Sequence, residues 1–265
     1  MASLPAPGIL HLSRLTTAAR LARMRPEAAV VVDAPGVLRT ERLLLRPLTW
    51  ADRAAYIDAV EASRAELDRF CPVHKHDETA EELFDRQLQL VRAGDATGLA
   101  WRRVAVKLDQ GDRIVGSFNF NDISYGLESR AEMSFWVRTD EAGHGYAREA
   151  VAAMLVHAFA PRWAVHGTAK TQQAGLGLSR VDGLIAPDNH SCLHLVARLG
   201  FVPDAHKSAQ RLTVCGQEVE HLPFVVFAPL SGRTSTAPRV PAGVSLSRSI
   251  ESLMRIERIE PQPGT

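Results

Sequence analysis

Residues 139–160 read T-D-E-A-G-H-G-Y-A-R-E-A-V-A-A-M-L-V-H-A-F-A, a glycine turn that runs straight into an amphipathic helix. Ala150, Val151, Met154, Leu155 and Ala158 recur at the spacing of one helical face. Just upstream, E-M-S-F-W-V at 132–137 alternates as a strand does, with Met133, Phe135 and Val137 on one side. A strand, a glycine turn and a helix in succession present free backbone N–H groups and the positive end of a helix dipole to an anion. Glycines permit close backbone approach there, so the stretch is suited to holding phosphate. A plain strand-to-helix connection is the other reading of the same residues. Arg148 stands where a Rossmann G-x-G-x-x-G needs its third glycine, and no G-K-[ST] follows the turn, so neither of those phosphate motifs is present.

The chain around this turn has 265 residues, enough for one well-packed domain with extensions. A net charge of +1 gives no electrostatic case for nucleic acid or a membrane surface as the main partner. Cys71, Cys192 and Cys215 are odd in number and widely spaced, which suits a reducing cytoplasm better than a disulfide framework. No apolar run approaches the ~20 residues needed to span a bilayer. The expected location is cytoplasmic.

Residues 1–36 form an N-terminal extension read as poorly ordered. Acidic residues are absent before Glu27, while Arg14, Arg20, Arg23 and Arg25 are present. The same composition fits an organellar transit peptide, its leucines fit a short surface helix, and Met24 is an alternative start. At the other end 229–265 reads as a flexible tail, rich in Ser, Thr, Pro, Gly and Ala over 230–247, with a short helix at 249–259. The domain between them, 37–228, opens with a strand at 37–48. A helix follows to about Phe70, started by Thr49 and Asp52, and a second helix starts at Thr79 and Glu82. Strands are expected at 101–108, 114–123 and 132–137, then the glycine turn and its helix, and a long polar loop over 161–179. A strand at 180–187, a helix at 189–199 capped by Asn189, and a hairpin turning at Cys215-Gly216-Gln217 complete a mixed α/β chain.

From Val37 to Phe227 these pieces resemble the GNAT N-acetyltransferases, especially the RimJ/RimL-like branch that acetylates protein N-termini. L-R-T-E-R-L-L-L-R-P-L-T-W-A-D at 38–52 is similar to that branch's first strand and helix start. I-V-G-S at 114–117, A-E-M-S-F-W-V at 131–137, G-H-G-Y-A-R-E-A at 143–150 and the Asn189…Leu199-Gly200-Phe201 segment follow in the family's order, and the last hairpin is similar too. Any one piece is common; the whole set in register is specific.

The resemblance implies an α/β GNAT fold, whose mixed, mostly antiparallel central sheet is splayed at the cofactor site and flanked by helices. It implies acetyl-CoA as cosubstrate and no metal. The pyrophosphate turn falls on Ala142, Gly143, His144, Gly145, Tyr146 and Ala147. Ala142 stands where the family has Arg or Gln, and His144, when protonated, can partly replace that charge. The pantetheine arm is expected between the strands near Trp136 and Ile185, with edge contacts from Phe135, Trp136 and Val137, and with Asn189. The family's serine is replaced by Cys192. Phe70 and Cys71 lie where the branch shapes its acceptor pocket.

Acetyl transfer to an amine needs a neutral nitrogen, a polarised thioester carbonyl and a proton for the departing thiolate. Glu132 is the candidate base; a solvated strand residue is the bland alternative, and Asp122 is a second candidate. Cys192 is the candidate acid, against a small buried side chain as the commoner fate of cysteine. The N–H of Val137 is placed by resemblance at the thioester carbonyl. Cys71, His74, His76, Cys192 and His194 lack a standard zinc spacing and read as a polar loop and a helix face. The expected activity is acetyl transfer to a primary amine by direct attack in a ternary complex, first to a protein N-terminal α-amine, second to a polyamine, amino acid or antibiotic. A domain that holds acyl-CoA as a regulatory ligand without turnover is the competing class. The protein is expected to be a monomer or homodimer.

Overall fold

A computed structural model describes residues 31–34, 36–75, 77–162 and 175–229. Among them one sheet runs through β1 (Val31–Ala34), β2 (Val37–Arg39), β3 (Leu43–Arg46), β4 (Trp101–Lys107), β5 (Ile114–Ser124), β6 (Arg130–Val137) and β7 (Arg180–Ile185). It continues to β10 (Gln217–Phe227) and ends on the short β8 (Val202–Pro203), while β9 (Gln210–Val214) pairs with the outer half of β10. Every pairing is antiparallel except β6 with β7.

Helices cover both faces. α1 (Arg53–Glu61), α2 (Arg64–Phe70) and α3 (Ala80–Thr97) bury Tyr56, Leu67, Phe84 and Leu88 against Val104, Val106, Ile114 and Trp136. On the opposite face, α4 (Tyr146–Phe159) and α5 (His190–Arg198) bury Met154, Leu155 and Val196 against Phe118, Phe120, Val181 and Phe224. Alternate residues of the same strand feed the two cores, as β4 shows with Ala105 on one side and Val104 and Val106 on the other. β5 breaks that alternation at two bulges, one beside Val106 and one between Asn121 and Ser124, where Asp122 adopts φ 49.

Four expectations change in detail. The strand at 37–48 is two strands, because Thr40 folds the chain back: its N–H donates to the Leu43 carbonyl at 2.9 Å and its Oγ1 accepts from the Leu43 N–H at 3.0 Å. The helix to Phe70 is a 3-10 turn (Trp50–Asp52) followed by α1 and α2. It breaks at buried Ser63, whose Oγ donates to Ala59 O at 2.9 Å and accepts from Thr139 N–H at 3.1 Å. β1 lies within the stretch assigned to the N-terminal extension, and β8 has no counterpart in the sequence reading. The reading of residues 1–30 and 230–265, and of most of the loop at 161–179, falls outside the described residues.

The helix starts follow their capping residues. Asp52 accepts from Thr49 N–H at 2.8 Å and from both ends of the Arg46 guanidinium at 2.7 and 2.6 Å. Thr79 and Glu82 form the reciprocal box expected for α3.

Candidate active site

β6 and β7 pair in register only through Arg130↔Arg180, Ala131↔Val181 and Glu132↔Asp182. Beyond Glu132 the two strands part, and the fork opens toward the turn that leads into α4. The side of β6 that faces the fork follows from its other edge. Arg138 N–H donates to Val115 O at 2.8 Å, and a Cβ at Gly116 would collide with Trp136 O, so Trp136 and Arg138 turn their peptide groups toward β5. Antiparallel hydrogen bonding alternates. Phe135 and Val137 therefore turn theirs toward the fork.

At its open end, Gly143 and Gly145 hold φ of 80° and 83°, a left-handed conformation that costs an L side chain strain. α4 begins directly after, at Tyr146. The N–H groups of its first turn lack intrahelical carbonyls and point, with the dipole, at the turn. These are features that a diphosphate and an amide-bearing arm can use, so the residues present fit acetyl-CoA. Ala142, Gly143, His144 and Gly145 are exposed, Ala147 is partly so, and Tyr146 is buried. His144 packs its ring near Tyr146 at 6.0 Å and sets Nδ1 3.2 Å from Glu141 O.

Arg42, which the sequence reading did not single out, braces this turn. Its Nη1 donates to His144 O at 3.0 Å and its guanidinium lies 4.5 Å over the Tyr146 ring. Its Nε donates to Glu149 at 2.7 Å. No local signal marks the Arg42–Glu149 pair, because its partners stand 107 residues apart.

Glu132 sits at the fork on the face covered by α1–α3, half-buried, directly across from Asn121 on one side and Asp182 on the other. Burial, then the negative charges of Asp122 and Asp182, push its carboxyl above the usual glutamate range, against a smaller pull from Lys207. Asp182 is itself held by Arg180 at 2.6 Å and Lys207 at 3.4 Å. Trp136 is buried against Tyr56, ring centroids 6.1 Å apart, so its side chain belongs to the core beneath α1. Phe135 stacks on Phe118 at 5.9 Å on the other face.

Across the fork, Asn189 caps α5 by accepting from Cys192 N–H at 3.1 Å, an arrangement that occupies its Oδ1. Cys192 is partly buried, and burial pushes its thiol up to about 12, followed by the nearby Cys71. Burial likewise lifts Cys71 to about 11. Phe70, at the end of α2, is partly exposed with Arg69 4.5 Å over its ring, and Arg69 pairs with Asp188 at 2.9 Å. Phe70 and Cys71 thus approach the start of α5, although they are far from it in sequence. His74 turns Nε2 toward Arg64 at 3.1 Å, and among the described residues no cluster of His, Cys, Asp and Glu is arranged to hold a metal. No helix among them is long and apolar enough to cross a membrane.

The fold recurs in solved structures. A ribosomal-protein-S5-alanine acetyltransferase from Vibrio fischeri superposes with a TM-score of 0.58 at 21% identity, over 72% of this chain and 96% of its own. RimJ of Mycobacterium smegmatis, in complex with CoA-disulfide, gives 0.57 at 21% identity over 73% and 84%. RimL, a ribosomal L7/L12 alpha-N-protein acetyltransferase in complex with coenzyme A, gives 0.58 at 16% over 72% and 96%. At such identities the likeness shows a shared fold. No curated protein sequence matches the chain. The Acetyltransferase (GNAT) domain family matches residues 42–202, a span that holds the fork, the glycine turn and its helix, and the chain belongs to the GNAT acetyltransferases.

Proposed function

We propose that the protein moves an acetyl group from acetyl-CoA to a primary amine by direct attack in a ternary complex, with a protein N-terminal α-amine as the first acceptor class. The observation that carries this reading is the fork past Glu132↔Asp182, with a half-buried carboxylate at its closed end and a glycine turn at its open end. Acetyl-CoA supplies the acetyl group as an activated thioester. The backbone of residues 142–147 and the N-terminus of α4 hold its phosphates, and the peptide edges of Phe135 and Val137 hold its arm. The Val137 N–H faces the fork, where it can polarise a carbonyl. Arg42 brings a guanidinium to a turn whose first position, Ala142, carries no charge, though Glu149 offsets it.

Glu132 takes the proton from the acceptor amine. An α-amine has a pKa near ~8, and a carboxylate raised toward it is a better-matched base than an ordinary one. Cys192 keeps its proton through neutral pH and serves as a hydrogen-bond donor to the departing sulfur. Full transfer would run uphill, since an ordinary thiol ionises near ~8.5 and this one is pushed to about 12. Phe70 and Cys71 line the acceptor side.

The test is a calorimetric titration of acetyl-CoA, with desulfo-CoA and NADH as controls, followed by CoA release across an amine panel. The expected result is one-site, CoA-specific binding that Glu132→Gln preserves while turnover falls by about 10²-fold or more. Undetectable binding, or equal turnover in the variant, sinks the reading.

A further inference from the structure

Arg102 on β4, Asn119 on β5 and Ser134 on β6 lie in one row across the sheet. Asn121, Glu132 and Asp182 make the next row on the same face, since two residues separate the rows along each strand. This is a polar stripe under α1–α3, on a face otherwise covered by Tyr56, Phe84 and Trp136. It leads directly to the fork.

Two atoms in the stripe are buried without a hydrogen-bond partner among the described residues: Arg102 Nε, a donor, and Asn121 Oδ1, an acceptor. Asn121 sets its amide nitrogen 3.0 Å from Ser134 Oγ, an arrangement in which Nδ2 donates to the hydroxyl and Oδ1 stays free. Arg102 and Asn121 are diagonal neighbours on adjacent antiparallel strands, a separation of about 7–8 Å that long side chains bridge. The bulge at Asp122 brings that carboxylate within electrostatic reach of both Arg102 and Glu132, and Tyr56 and Arg86 are the other ionisable groups that act on Arg102. Orphaned buried donors and acceptors are rare and costly, and a matched pair beside a catalytic carboxylate calls for a ligand that completes both.

We propose that Arg102 and Asn121 recognise the α-aminoacyl end of the acceptor. Arg102 donates to the oxygen next to the reacting amine, and Asn121 Oδ1 accepts from an N–H of that amine while Glu132 takes its proton. The inference rests on the acetyl-transfer reading above and deepens it. An amide carbonyl at a peptide N-terminus and the carboxylate of a free amino acid share this chemistry. A polyamine does not: it offers Arg102 no oxygen, and its further ammonium groups meet a like charge.

The test measures equilibrium binding to the full-length protein saturated with CoA. The probes are alanylalanine amide, free alanine, isopropylamine (the same amine without a carbonyl) and spermidine. Wild type binds an aminoacyl probe about tenfold more tightly than isopropylamine or spermidine, the difference one charge-assisted hydrogen bond makes. Arg102→Met erases that preference and leaves isopropylamine and acetyl-CoA affinity unchanged. Arg102→Lys, which keeps the charge and loses the Nε–H, restores it only partly. Asn121→Ala weakens every amine and not CoA, and serves as the test should Arg102→Met fail to fold. A tighter amide assigns a peptide N-terminus, and tighter alanine a free amino acid. The inference is overturned if isopropylamine or spermidine binds wild type as well as the aminoacyl probes, or if the preference survives Arg102→Met. Arg102-dependent binding without CoA release from acetyl-CoA would overturn the acetyl-transfer reading alone. CoA release indifferent to Arg102 would overturn this inference alone.

Discussion

Glu149, in the first turn of α4, accepts from both the main-chain N–H of Arg42 at 2.8 Å and its Nε at 2.7 Å, and from Thr40 Oγ1 at 2.6 Å. One carboxylate therefore ties the turn between β2 and β3 to the helix whose N-terminus faces the fork. Arg42 passes the constraint on through His144 O. Glu149→Ala is expected to cost about 2 kcal/mol, as loss of charge-assisted hydrogen bonds does. The readout is a lower urea midpoint at unchanged slope, with a raised KM for acetyl-CoA and little change in kcat. An unchanged KM would mean that the brace is only structural.

The glycine turn gives a graded prediction. Gly145 holds φ 83°, and a Cβ there would stand 3.5 Å from Arg42 Nη2, in ordinary contact, so the cost of substitution is backbone strain. Asparagine tolerates this region better than alanine, and a β-branched residue least. Gly145→Asn, Gly145→Ala and Gly145→Val should lower unfolding stability in that order, alanine by about 1–2 kcal/mol. Acetyl-CoA affinity should fall in the same order, and a flat series would contradict the role of the turn.

The proposed base makes a pH prediction whose sign follows from its neighbours. Glu132 must be ionised to accept a proton, and its carboxyl is raised by burial and then by Asp122 and Asp182. The acidic limb of kcat/KM is therefore expected above the ordinary glutamate value of ~4.3. Asp122→Asn removes one of the negative charges, at a position with φ 49° that asparagine accepts, and should move the limb to lower pH. A pH–rate profile of the two proteins decides it; a limb that stays in place removes Glu132 from the role of base.

His157 makes a separate prediction about stability. It is buried on α4 against Trp101 at 4.8 Å, and burial, then the nearby Arg103 charge, lowers its pKa from 6.5 to about 4. The folded protein holds this imidazole neutral while the unfolded chain protonates it, so its contribution is intact above pH 6.5 and is lost as pH falls toward 4. The shift corresponds to about 3 kcal/mol. Urea unfolding between those limits should show the loss, and His157→Gln should flatten it.

Short stretches of the chain specify the local pieces. The capping pairs Thr49–Asp52 and Thr79–Glu82, the alternation at 132–137, the glycine turn and the apolar face of α4 are written in short-range periods and turn chemistry, and all stand in the structure. So does the place of Glu132, because the same alternation sets it on the face of Ser134 and Trp136. What those pieces meet depends on packing between distant parts of the chain. Ser63 breaks the helix because Thr139 reaches it from the end of β6. Arg42 braces the glycine turn because Glu149, distant in sequence, faces it. Arg102 shares a face with Asn121 and Glu132 because the register of β4, β5 and β6 sets them there. Register and bulges arise from packing between strands far apart in the chain, so no short window of residues carries them.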